Sequence, residues 1–193
     1  MVGDSKAEVL INGVMRTSTE FGRWIFIGGN TGSGSPAPFI SDLPRFKRYQ
    51  NYIKPAIDSV SNRKEIKVVT LVTAARIVGD FGSSGNWLDA LESDAYAEAE
   101  EAFNNVVRIL VNNGKKVVLV VDNPGLGNRK TCVSRKIFLD FESGQANDCE
   151  LDLDDYFRLR KKYIDVLNNI KKRYPENIFI FDTYDLVCDL GKQ

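Results

Sequence analysis

Two stretches restrict the fold more than any others. Ile66-Lys67-Val68-Val69-Thr70-Leu71-Val72-Thr73 and Lys116-Val117-Val118-Leu119-Val120-Val121 are almost unbroken runs of β-branched and apolar residues. A strand with one face in water alternates apolar and polar side chains. A near-continuous run instead signals burial on both faces, as happens inside a parallel sheet. Two further runs, Trp24-Ile25-Phe26-Ile27 and Asn177-Ile178-Phe179-Ile180-Phe181, read as shorter strands.

Amphipathic segments lie between the runs. Tyr96 to Asn112 places Ala99, Phe103, Val106, Val107, Leu110 and Val111 at helical spacing, and Asn113-Gly114 supplies its stop. Asp154 to Arg173 repeats the pattern with Tyr156, Leu159, Tyr163, Val166, Leu167 and Ile170, and Tyr174-Pro175 ends it. Arg45 to Val60 is a weaker helix, expected to be interrupted near Pro55, and Ala7 to Arg16 is the first. Strand–helix alternation with short connectors predicts one α/β domain over residues 1–193, with a central parallel sheet and loop excursions at 29–44 and 124–150. Only Met1-Val2 precede the turn Gly3-Asp4-Ser5, and Leu186 to Leu190 runs out with no closing helix. The expectation is a piece of a larger gene product, with its first strand and C-terminal segment cropped.

Charge and composition exclude several functions. Twenty-six basic and 26 acidic residues cancel, which argues against nucleic acid as a partner, because phosphate binding needs a clustered cationic surplus. The chain contains no histidine, so it supplies no Ser-His or Cys-His catalytic pair and no imidazole metal ligand. No metal or other cofactor is expected. No run approaches the roughly 18 apolar residues of a membrane span, and the N-terminus has none of the regions of a signal peptide. Taken alone, these features read as cytosolic. Cys132 and Cys149 bracket a polar segment that a disulfide would close, adding about 3 kcal/mol. Three unpaired thiols, Cys188 included, remain the other reading.

Short motifs cluster where strands end. A serine at a strand-to-helix turn, as in Gly3-Asp4-Ser5, exposes its hydroxyl at a helix N-terminus, where its own N–H and the helix dipole favour a developing oxyanion. Asp and Ser are equally the preferred N-cap residues. Gly28-Gly29-Asn30 lacks both the P-loop ending and the dinucleotide glycine spacing. Its functional reading is an oxyanion donor from Gly29 or Asn30, against a plain surface loop. Arg76, after Ala74-Ala75, is positioned either to clamp a substrate carboxylate or to pair with Asp80. Asp122-Asn123-Pro124 offers ligand hydrogen bonds or simply begins a turn. The acids Asp152, Asp154 and Asp155 open a helix and read as dipole partners instead of metal ligands.

Taken in order, five blocks resemble a known family: Gly3-Asp4-Ser5, Gly28-Gly29-Asn30, Val72 to Arg76, Val118 to Pro124, and Phe181 to Asp189. The set resembles the SGNH-hydrolase-like (GDSL-type) domain found at the C-terminus of acyltransferase-3 membrane proteins. The resemblance implies a three-layer α/β/α sandwich of flavodoxin-like type on the extracytoplasmic side of a membrane. It also implies a fused or associated membrane acyltransferase, and O-acylation, usually O-acetylation, of a cell-surface polysaccharide. Ser5 matches the nucleophile, and Ser5, Gly29 and Asn30 match the oxyanion hole; Arg76 and Asn123, from their places at strand ends, are the residues expected to bind substrate. The extracytoplasmic setting implies a Cys132–Cys149 disulfide, with Cys188 paired to a cysteine further downstream.

Three departures stand out. Nothing matches the family's C-terminal Asp/His motif, so the 193 residues alone are expected to be inactive. Ala74-Ala75-Arg76 stands where the wider superfamily has an oxyanion-hole asparagine. Lys6 replaces a histidine common after the serine, and reads as an exposed early-helix lysine, not a base. The competing readings are a non-catalytic glycan-binding or docking module for a membrane acyltransferase, and an unrelated cytosolic α/β regulator.

Overall fold

A computed structural model describes residues 1–17, 24–29, 34–79, 94–122 and 153–182. In chain order the elements are β1 (Val2–Gly3), α1 (Ser5–Thr17), β2 (Ile27–Gly28), α2 (Pro44–Ser61), β3 (Val68–Val72), α3 (Ala75–Val78), α4 (Ala95–Asn112), β4 (Lys116–Val120), α5 (Leu153–Arg173) and β5 (Ile178–Phe181). The five strands form one parallel sheet in the order β2-β1-β3-β4-β5. This is the doubly wound arrangement, and its order reverses between β1 and β3. The expected α/β architecture is therefore the observed one.

The β-branched runs explain the register. Val68 to Val72 pairs residue for residue with Lys116 to Val120. Val69, Leu71, Val117, Leu119, Val121 and Ile178 turn toward a large core shared with α2, α4 and α5. Val72 and Val120 turn the other way, into a smaller cluster with Ala7 and Ile11 of α1. Phe39 anchors the large core, stacked on Phe46 at 4.9 Å and tilted against Phe103 at 5.6 Å. Phe179 and Phe181 project on the α1 side of β5 and remain about half exposed among the described residues.

Two expectations change. α2 runs unbroken through Pro55. A proline inside a helix costs about 3 kcal/mol. Here it lies on the exposed face, and the opposite face buries Phe46, Tyr49, Ile53, Ala56, Ile57 and Val60. At about 1.5–3 kcal/mol for each large apolar side chain, that burial outweighs the proline. The strand expected over Trp24–Ile27 is instead Ile27–Gly28, with Trp24 and Ile25 exposed. Its neighbour β1 pairs Val2 and Gly3 with Ile27 and Gly28, and Met1 adds an ammonium bond to the Ile25 carbonyl at 2.7 Å and accepts the Ile27 N–H at 3.0 Å. β1 is short, yet it occupies the sheet between β2 and β3. Gly3 permits this close approach: a Cβ there would stand 2.2 Å from the Val72 carbonyl oxygen and 2.8 Å from the Ala7 Cβ.

Candidate active site

Gly3 is in register with both Gly28 and Val72, so the turns after β1, β2 and β3 lie side by side at one edge of the sheet. This edge holds the strand C-terminal ends at the switch in strand order, where ligands of open α/β sheets bind. Ser5 and Gly29 each follow a strand that ends there, and Ala74 to Arg76 follow β3 at the same edge.

Asp4 organises the edge. The residue is 3% exposed, and one carboxylate oxygen accepts the Lys6 N–H at 2.9 Å, an N-cap bond for α1. The other oxygen accepts the Ala74 N–H at 2.8 Å and the Thr73 hydroxyl at 3.4 Å. One acid thus caps a helix and fastens the end of β1 to the end of β3. Burial raises its pKa above the ordinary aspartate value and the negative charge of Asp122 adds to the rise, while the Ala74 and Lys6 amides and Arg76 oppose it.

Since Asp4 does the capping, Ser5 does not. The Ser5 hydroxyl is half-buried and has no hydrogen-bond partner among the described residues. The amides of Ala7 and Glu8 are committed to the Asp4 carbonyl and that of Lys6 to its carboxylate, so Asp4 leaves only the Ser5 amide of the first turn unclaimed. Gly29 is buried at the end of β2 with φ +106°, a left-handed conformation that side-chain-bearing residues rarely adopt.

The β4 end contributes Asp122. Its carboxylate accepts the Ala75 N–H at 2.9 Å and pairs with the Lys6 ammonium at 2.9 Å. Lys6 is therefore a half-sheltered ion-pair partner, not the exposed lysine expected. Asp122 is spent on the protein's own backbone and not kept for a ligand. Below this layer the Tyr163 hydroxyl lies 3.3 Å from the carbonyl oxygens of both Thr73 and Val120, where β3 and β4 part. Burial, and after it the charges of Asp122 and Asp4, push the Tyr163 phenol far above its usual range. Arg76 is exposed one residue beyond Ala75, and no ion pair engages it among the described residues.

Of the residues singled out from the sequence, Ser5, Gly29 and Arg76 share this edge. Asn30, Asp80, Asn123, Cys132, Cys149 and Cys188 lie outside the described residues. Asp4, Thr73 and Tyr163 escaped sequence reasoning as site residues. Asp4 carried a signal, being an acid directly after a strand. Tyr163 carried none beyond its place in the apolar stripe of α5. The Ala74 and Ala75 amides are both occupied by carboxylates and their side chains are methyl groups, so neither residue offers a free donor where an oxyanion-hole asparagine would stand. No group of three His, Cys, Asp or Glu residues suited to a metal occurs among the described residues. An open groove of about 530 Å³ lies between α2 and α4, lined by Ile40, Asp42, Lys54 and Arg108, and it includes none of these site residues.

A family model, SGNH domain (fused to AT3 domains), matches residues 1–193. The chain belongs to the SGNH domain family. Neither a curated protein nor a solved structure gives a match. Membership carries acyltransferase- or esterase-type chemistry and an associated membrane acyltransferase domain. No helix among the described residues is long and apolar enough to cross a membrane.

Proposed function

We propose that this SGNH domain acts outside the cytoplasm in O-acylation of a cell-surface polysaccharide, most simply O-acetylation, with Ser5 as the nucleophile. The observation that carries the reading is the unbonded Ser5 hydroxyl at the N-terminus of α1, released from capping by Asp4. In this scheme the Ser5 Oγ attacks the carbonyl carbon of an acyl donor. The Ser5 proton passes to a base outside these 193 residues, since the chain has no histidine. The Ser5 N–H, with Gly29 and Asn30, stabilises the oxyanion. The donor's leaving group departs, a sugar hydroxyl attacks the acyl-serine ester, and Ser5 is regenerated. Arg76 and Asn123 bind substrate, and the domain works beside its membrane acyltransferase partner.

The occupied Ala74 and Ala75 amides, together with the absence of histidine, favour a second reading, a glycan-docking module whose partner performs the chemistry. One experiment separates them. Ser5→Ala in the full-length protein is expected to abolish polysaccharide O-acylation while leaving the melting temperature within a few degrees. Retained O-acylation, with polysaccharide still bound, rejects the nucleophile and selects the docking module.

A further inference from the structure

We infer that Lys6 and Asp122 are positioning residues that hold Ser5 in its attacking geometry. The inference rests on the reading of Ser5 as nucleophile. Asp4 and Lys6 flank Ser5 in the chain, and both are tied to the same turn across the sheet. Asp4 binds the Ala74 amide directly, at 2.8 Å. Lys6 is held twice: its N–H by the Asp4 carboxylate at 2.9 Å, and its ammonium by Asp122 at 2.9 Å. The other Asp122 oxygen takes the Ala75 amide at 2.9 Å. Two acids therefore grip two successive amides of the β3–α3 turn, and both acids also grip Lys6. Asp4, Lys6, Asp122, Ala75 and Ala74 form a closed ring of contacts, and Ser5 is the residue that links Asp4 to Lys6 in the chain.

The pair differs from an ordinary surface ion pair, which contributes about 0–1 kcal/mol and little order. The Asp122 side chain is only 9% exposed and the Lys6 side chain 31%. The backbone bond to Ala75 already fixes the carboxylate, so only the Lys6 side chain has freedom left to lose when the pair forms. The clasp also crosses β3, joining the first turn of α1 to the end of β4. Reaction rates are more sensitive to placement than stability is, since a nucleophile about 1 Å out of position can cost on the order of a hundredfold. Loss of the clasp should therefore appear first in the chemical step.

The test uses the full-length protein in detergent micelles, with p-nitrophenyl acetate as acyl donor and p-nitrophenolate release as the signal. Lys6→Met and Asp122→Asn are each expected to lower kcat about tenfold with KM changed less than twofold. The carboxamide introduced by Asp122→Asn would still offer Ala75 an acceptor oxygen, so that variant isolates the charge pairing. The double variant should be no slower than either single, and Lys6→Arg should recover most of the rate. Wild-type kcat in Lys6→Met, fold-losses that multiply in the double variant, or losses fully explained by a smaller folded fraction would each overturn the clasp. Release that Ser5→Ala does not diminish overturns the nucleophile reading and this inference with it. Release lost in Ser5→Ala but untouched in Lys6→Met removes the inference alone.

Discussion

The two ends of the sheet each bury a charged side chain, of opposite sign and with different consequences. At the end where strands finish and helices begin, Asp4 is buried against backbone N–H donors of Lys6 and Ala74. At the opposite end, Lys115 is 4% exposed, and its ammonium donates to the carbonyl oxygens of Arg63 at 2.6 Å and Ile66 at 3.0 Å. The choice of sign follows from the backbone groups each end presents. Helix N-termini present N–H groups and favour an anion, whereas the segment after the last turn of α2 presents carbonyls and favours a cation. The two charges are not equally comfortable. Burial raises the Asp4 pKa and the charge of Asp122 adds to it, so ionised Asp4 is held at some cost. A free hydroxyl, an exposed arginine and a second acid surround it. At the Lys115 end the described contacts are carbonyls satisfied by one ammonium, an arrangement that joins the loop before β3 to the start of β4 and nothing more.

Three measurements bear on this contrast. The largest effect is expected for Asp4→Ala, which strands the Lys6 and Ala74 amides and the Thr73 hydroxyl. Urea denaturation should show a loss of about 3 kcal/mol, and O-acylation by the full-length protein should vanish. A stable, active Asp4→Ala protein would erase the difference between the ends. Next comes Lys115→Met, expected to cost about 2 kcal/mol by leaving the Arg63 and Ile66 carbonyls without their donor. Its O-acylation rate per folded molecule should equal wild type, and a specific catalytic defect would mean that the Lys115 end is not merely structural.

The smallest effect is a pH slope. With its folded-state pKa raised above 3.8, Asp4 keeps its proton in the folded protein after the unfolded chain has lost it. The folded state then binds more protons than the unfolded state, so stability falls as pH rises from 3.8 through the raised pKa and levels off above it. Urea midpoints across this range should show less decline in Asp4→Asn than in wild type. An identical decline would show that Asp4 does not titrate as an uncomfortable buried acid.

The sheet was largely legible because strands buried on both faces must be apolar throughout. Val68–Val72 and Lys116–Val120 lie inside their β-branched runs for that reason. The α4 and α5 stripes repeat every three to four residues, and their boundaries fall within a residue of the expected ones. α3 left no such mark, since four residues are too few for a helical period to register. Pro55 misled because local propensity was set against six buried neighbours it could not outweigh. At the site, Ser5, Gly29 and Arg76 stand out in sequence because each follows a strand or turn. The Lys6–Asp122 pairing does not: the partners are 116 positions apart, one in the first turn of α1 and the other just past β4, and only the strand order brings them together.

That remoteness has a kinetic side. The bonds that complete the site span long stretches of chain: 70 residues from Asp4 to Ala74, and 90 from Tyr163 to Thr73. Contacts so far apart in sequence require closure of large loops before they stabilise anything, and they form late. The five-residue ladder between β3 and β4 joins residues 48 positions apart, Val68 to Lys116, against 69 for Val2 and Leu71 of β1 and β3. Folding should therefore begin there and end when the two-residue strand β1 slots between β2 and β3. That last closure also brings Asp4 to Ala74 and Lys6 to Asp122. A chain caught short of it would keep most of its secondary structure and have no assembled nucleophile.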